Sequence, residues 1–215
     1  MYPLDNKSVK KLLSNVFWIG GGSGSGKSTV AKMIAAESNL HLYETDAVMK
    51  EHARRSNEKD CPLLHAFMGM SMDERWVTRT PQEMLETFHW FNGEGFKYII
   101  DDLLAFPAEQ KTIVEGFRLL PKYVVPYLAK PSQAIWLIPT PKFRESAFKN
   151  RGSLWDIANK TSNPRKALSN YLERDRLFTE RIRRETLEEG LHTLDLDETV
   201  TEADLFQKVK AMYAL

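Results

Sequence analysis

The chain has 215 residues, 42 % of them hydrophobic and 27 % charged, with a net charge of +1. That balance suits a globular protein with one core, excludes a disordered or fibrous chain, and argues against nucleic acid as a partner. No run approaches the roughly 20 apolar residues of a membrane span, and a single cysteine, Cys61, excludes an intrachain disulfide framework or a Cys-rich zinc site.

The polar start, Met1 to Lys7, has no signal-like apolar stretch, so a reducing cytoplasm is expected. Val16 to Ile19 is a short apolar run rich in β-formers. It leads into a glycine-rich loop and then a helical pattern with Val30, Met33 and Ile34 on one face and Asn39 as its stop. Leu40–Tyr43, Thr112–Glu115, Ala134–Ile138 and His192–Leu196 read as further strands. Runs apolar throughout, rather than alternating, suit strands covered on both faces of a parallel sheet. Strands separated by helical stretches point to a layered α/β fold.

Two long insertions break this rhythm. Residues 49–105 should hold two or three helices and build an acceptor pocket. One helix opens with Thr80 as N-cap, Pro81 at the first position and Glu83 in a capping box. The three methionines Met68, Met70 and Met72 read as core gap-fillers. Residues 141–190 are Arg-rich and helical, with a long helix starting at Asn163–Pro164. Residues 1–35 and residues 141–190 each carry a balance of +4 inside a nearly neutral chain, which favours a local anionic ligand over a polyanion. Residues 1–215 are expected to form one domain.

Gly21-Gly22-Ser23-Gly24-Ser25-Gly26-Lys27-Ser28 fits G-x-x-x-x-G-K-[ST] at every fixed position. Glycines let the backbone take positive φ and approach a ligand closely. Successive N–H groups then form an anion nest, and the following helix adds its positive end. Lys27 would reach the β- and γ-phosphates and the Ser28 hydroxyl would hold Mg²⁺. Gly21 to Thr29 is therefore the expected nucleotide site.

On this loop the sequence resembles the small-molecule kinase branch of P-loop proteins: uridine kinase-like, gluconate and shikimate kinase-like, and adenylate kinase-like enzymes. The resemblance implies a five-stranded parallel sheet in the order 2-3-1-4-5. It also implies ATP and Mg²⁺ as cofactors, transfer of the γ-phosphoryl group to a small-molecule hydroxyl, and a lid. In the uridine and gluconate kinase-like enzymes an Asp past the second strand contacts the acceptor hydroxyl. Here that falls on Asp46, the candidate base, with Glu44 as the alternative and an N-capping role for Thr45 or Asp46 as the structural reading. Glu115-Gly116 ends the third strand, where such an acid supports Mg²⁺. Asp101-Asp102 is the rival carboxylate pair but reads as part of a helix over 96–104. Arg118 either contacts the acceptor or is a loop-surface residue. Arg144, Arg151, Arg165, Arg174 and Arg176 are the lid candidates. Arg151 comes first, because Asn150-Arg151-Gly152 would close a helix. Asp175, on an apolar helix face, needs a partner, and an arginine would serve.

Other classes fit less well. A GTPase would read guanine with Asn-Lys-x-Asp, whereas Asn159-Lys160-Thr161-Ser162 lacks the Asp. A helicase or AAA+ module would need more chain and a strand-borne acid pair. An ATP-binding regulatory protein without transfer activity is the alternative from another class, and it would use the loop as a switch.

Overall fold

The computed structural model describes residues 6–150 and 155–215. Five strands form one parallel sheet: β1 (Val16–Gly21), β2 (His41–Glu44), β3 (Thr112–Glu115), β4 (Ala134–Pro139) and β5 (Thr193–Leu196), in the order β2-β3-β1-β4-β5. This is the α/β architecture and strand order expected. The apolar runs of β1, β3 and β4 are buried along their whole length, as the central strands of a covered sheet must be. All ladders are parallel, so the carboxyl ends of the strands meet at one edge, with Glu115 opposite Ile19 on one side and Glu44 on the other.

Helices cover both faces. On one face, α2 (Lys27–Ser38) and α10 (Glu202–Tyr213) bury Val30, Ile34, Leu205 and Val209 against Ile19, Ile113 and Leu137. The stop of α2 is as expected: Asn39 adopts the left-handed conformation at φ 50°. On the other face, α1 (Asn6–Leu12), α6 (Phe96–Leu104), α7 (Pro121–Val124) and the 25-residue α9 (Pro164–Glu188) enclose Leu13, Ile99, Val124, Phe178 and Ile182. Phe178 of α9 stacks on Phe91 at 3.7 Å between ring centroids, which fixes α9 against the first insertion.

That insertion is more broken than expected. Before α6 it contains α3 (Met49–Arg55), α4 (Pro62–Gly69), a π-helical turn at Glu74–Thr78, α5 (Pro81–Thr87) and a 3-10 turn at His89–Asn92. Pro62 and Pro81 each start a helix rather than sit inside one. The Thr80–Glu83 capping box is present in both directions. The capping role for Thr45 or Asp46 is not: residues 45–48 are a turn, and α3 begins at Met49 behind Val48 with no side-chain cap. Met68 is not in the core either. It is 47 % exposed. In the second insertion α8 (Pro141–Asn150) precedes α9, and Asn163 caps α9 by accepting from the Lys166 N–H. Arg151, the first lid candidate, lies outside the described residues.

Candidate active site

The loop between β1 and α2 has the form its glycines allow. Gly24 and Gly26 sit at φ 79° and 77°, and Gly26 leads into α2 without a side-chain cap. The first N–H groups of α2 are thus left without a capping side chain, a donor set for an anion. Lys27 is buried, and its ammonium donates to the Gly22 carbonyl at 2.7 Å and to Ser25 Oγ at 3.4 Å. Ser28 Oγ donates to Glu115 Oε1 at 2.9 Å. The chain therefore joins the two groups expected to support Mg²⁺, although 87 residues separate them. Oxygen donors of this kind suit a hard cation.

Glu115 is 2 % exposed, and burial raises its carboxyl above the usual range while the Lys27 charge and the Ser28 hydroxyl pull it down. Its neighbour Gly116 has φ 150°, and a Cβ there would lie 1.7 Å from Thr45 Oγ1, so glycine is required where β3 passes the turn after β2. Asp46 stands in that turn. Its side chain is open to solvent, yet the surrounding protein raises its carboxyl by desolvation, opposed by Lys27, Arg118 and the Thr45 hydroxyl. Solvent screens part of that push. Asp46 is thus both reachable and more basic than an ordinary aspartate. Glu44 pairs with Lys32 at 2.9 Å. Asp102 lies on α6 and accepts from Tyr43, Arg55 and His52.

Arg118 is neither a surface residue nor open to a ligand. It is 2 % exposed, stacks over Trp90 at 4.0 Å, and donates to the Thr45 and Gly95 carbonyls. Its Nη1 also lies 3.0 Å from His52 Nδ1. An arginine can only donate, so Nδ1 accepts and Nε2–H donates to Asp102 at 2.7 Å. Arg118 therefore holds the Thr45–Asp46 turn from behind.

The arginines of the second insertion divide. The Arg144 side chain packs against Gly24 of the loop and is 8 % exposed, with burial lowering its pKa. Arg176 is held by Glu173 and Glu180, and Arg165 is exposed. Arg174 supplies the partner Asp175 needs: Nε and Nη2 donate to Oδ1 at 3.0 and 2.6 Å. Arg144 is the described arginine beside the phosphate loop, a place sequence order alone does not reveal.

Two cavities flank the loop. One, of about 250 Å³, lies between Gly24, Thr29 and Val30 on one side and Phe143, Val200 and Leu205 on the other. It could house the base end of a nucleotide. Its far wall comes from α8 and the start of α10, which carry no motif. The second, of about 420 Å³, is bounded by Ser23 of the loop, Met49 and Lys50 just past Asp46, and Phe117 just past Glu115. Its depth is walled by the first insertion, as expected of an acceptor pocket. It is also walled by Tyr171 and Arg174 of α9, which sequence reading assigns to a lid. His89 lines it with Nδ1 buried and unpartnered. Burial, then the charges of Arg118, Arg174 and Arg75, push this imidazole down to about 3.

That depression has a stability consequence. The folded His89 pKa lies below the unfolded value of 6.5, so its contribution is full above pH 6.5 and is lost as pH falls from there towards 3. Between pH 6.5 and 5 this one group should remove about 2 kcal/mol. His52, lowered chiefly by burial, acts in the same direction. Urea midpoints at pH 7.5 and 5.0 should separate less in His89→Leu than in the parent protein. An unchanged separation would show that His89 does not titrate as described.

Among known proteins, a family model described as an AAA domain matches residues 16–151, from the start of β1 to just past α8. The crystal structure of NadR protein in complex with NR aligns over 96 % of this chain and 53 % of its own, at 14 % identity and a TM-score of 0.41, so this chain spans about half of it. No curated protein matches.

Proposed function

The chain belongs to this AAA-domain family, a kinase-like group of P-loop proteins, and from that premise we propose that it is an ATP-dependent phosphotransferase acting on a hydroxyl of a small metabolite. The AAA label does not bring back the mechanical ATPase set aside above, because the matched segment is a kinase-like P-loop domain. One observation carries the reading. A cavity of about 420 Å³ opens at Ser23, between the residues that follow Asp46 and those that follow Glu115. A regulatory ATP switch has no need of a second, ligand-sized chamber beside its phosphate loop.

The roles follow from position. The glycine loop and the uncapped start of α2 would bind the triphosphate, with Lys27 against the β- and γ-phosphates. Ser28 and Glu115 would hold Mg²⁺, which when bound neutralises charge developing on the phosphates. Asp46, exposed in the turn that leads into Met49 and Lys50 of the cavity wall, would orient the acceptor hydroxyl and take its proton as the oxygen attacks. Arg144 would face the phosphates from α8 and help exclude water. Arg118 would act indirectly, by fixing the turn that presents Asp46. A cytoplasmic setting fits an ATP-using chain whose one cysteine is a buried free thiol.

ADP release from Mg·ATP tests this, measured with and without nucleosides, nucleotides, sugars, sugar acids and coenzyme precursors. One class should raise the rate well above the basal level. A flat response across the panel would favour the switch reading instead.

A further inference from the structure

The aromatic cavity has a property that no motif announces: among the described residues its lining includes Lys50, Arg75 and Arg174 but no carboxylate. Its rings would otherwise make a good seat for a ligand cation. That seat is already filled. The Arg174 guanidinium carbon lies 4.8–5.1 Å from the ring centroids of Trp76, Phe88, Phe91 and Tyr171. Arg174 is 5 % exposed and is anchored through Nε and Nη2 to Asp175, while its Nη1 makes no hydrogen bond among the described residues. Beside it, His89 is 3 % exposed with an unpartnered Nδ1. The cavity therefore offers ring faces and edges, unspent guanidinium donors and an uncharged imidazole.

We propose that the acceptor is an aromatic alcohol whose flat ring is uncharged or anionic and bears an oxygen acceptor, and that the cavity discriminates against cations. This inference rests on the phosphotransferase reading for the word acceptor, but the ligand chemistry comes from the walls alone. A planar ring packs among Phe67, Phe88 and Trp76, beside the Arg174 guanidinium. A carbonyl or phenolate oxygen takes the Nη1 donors, a charge-assisted bond in a dry setting. A cationic ring meets Lys50 and Arg75 beside an Arg174 whose charge Asp175 already pairs, with no lining carboxylate among the described residues left to receive it, so burying it is unfavourable. A sugar acid satisfies the charge but leaves the rings unfilled.

The test compares four probes on the full chain: uridine, uridine monophosphate, a pyridinium riboside of similar shape, and gluconate. Binding is read by quenching of tryptophan fluorescence and by calorimetry, with a non-hydrolysable ATP analogue present. ADP release is measured separately with ATP. Uridine or its monophosphate should bind at least about tenfold more tightly than the pyridinium riboside. Lys50→Glu, at an exposed position in the cavity lining, should narrow that gap several-fold. Arg174→Met should narrow it further, but it leaves Asp175 buried and unpaired, so the Lys50 variant carries the test if the Arg174 variant does not fold. Equal binding of the pyridinium riboside and uridine overturns the inference, and so does no binding of either uridine probe at millimolar concentrations. Turnover stimulated by gluconate alone overturns it and leaves the phosphotransferase reading standing. Binding in the expected charge order without any stimulated ADP release keeps the ligand chemistry and removes the phosphotransferase reading.

Discussion

Lys27→Ala should lower phosphoryl transfer by roughly 10³-fold or more while leaving the fold in place. Lys27 is the first residue of α2, and its hydrogen bonds include two local ones, to the Gly22 carbonyl and Ser25 Oγ. Losing such a bond costs about 1 kcal/mol. The residues that fasten α2 to the sheet, Val30 and Ile34, are untouched. Thermal unfolding should therefore shift by only a few degrees. The catalytic loss has two sources. One is the missing cation at the transferred phosphoryl group. The other is electrostatic: Lys27 is the leading charge that opposes desolvation at both Asp46 and Glu115. Without it both carboxyls rise further, so the proposed base and metal ligand are protonated over a wider pH range. Lys27→Met, which keeps the side-chain bulk without the charge, should behave like the alanine variant. Full activity in either variant, with normal thermal unfolding, would move the phosphate site elsewhere.

The contrast between what the chain's order reveals and what it hides is physical. β1, β3 and β4 are readable because both faces of each are covered, so no polar residue interrupts the run. The phosphate loop is readable because its whole chemistry lies in eight contiguous residues. Glu115 is readable because a strand end places it. The cavity is different. Ser23, Phe88, Phe117 and Arg174 come from four distant segments, and each alone is an ordinary loop or core residue. An aromatic-rich insertion signals a pocket, but not that α9 forms its other wall. Arg118 shows the limit in the other direction. An arginine two residues past Glu115-Gly116 looks like a ligand contact or a surface residue. Only the fold reveals Trp90 beneath it and His52 beside it. For Arg174 the signal was present in part. Asp175 on an apolar helix face calls for a buried cation, and the residue next to it supplies one.

Asp46→Asn isolates the acceptor chemistry from nucleotide binding. The substitution keeps the size of the side chain, and an exposed position should change stability by no more than about 0.5 kcal/mol. If Asp46 takes the acceptor proton, kcat should fall by about 10²–10⁴-fold. The KM for ATP should barely move, because the triphosphate contacts lie on the loop. ADP release should lose its stimulation by acceptor and keep its slow basal rate. The pH profile gives an independent reading. Desolvation raises the Asp46 carboxyl above 3.8, and Lys27 and Arg118 hold it partly down. Transfer should therefore fall on the acid side at a pH above the ordinary aspartate range, as the base takes up a proton. In Asp46→Asn the limb due to Asp46 has no group to report, so any acid limb that remains should be the metal-dependent one. Glu115, also raised by burial, has an acid limb of its own through the metal. Raising the Mg²⁺ concentration separates them. A limb due to Glu115 moves to lower pH as metal competes with the proton, and a limb due to Asp46 stays where it is. A residual rate in Asp46→Asn that keeps the parental acid limb at every Mg²⁺ concentration, with kcat undiminished, would take the base role away from Asp46.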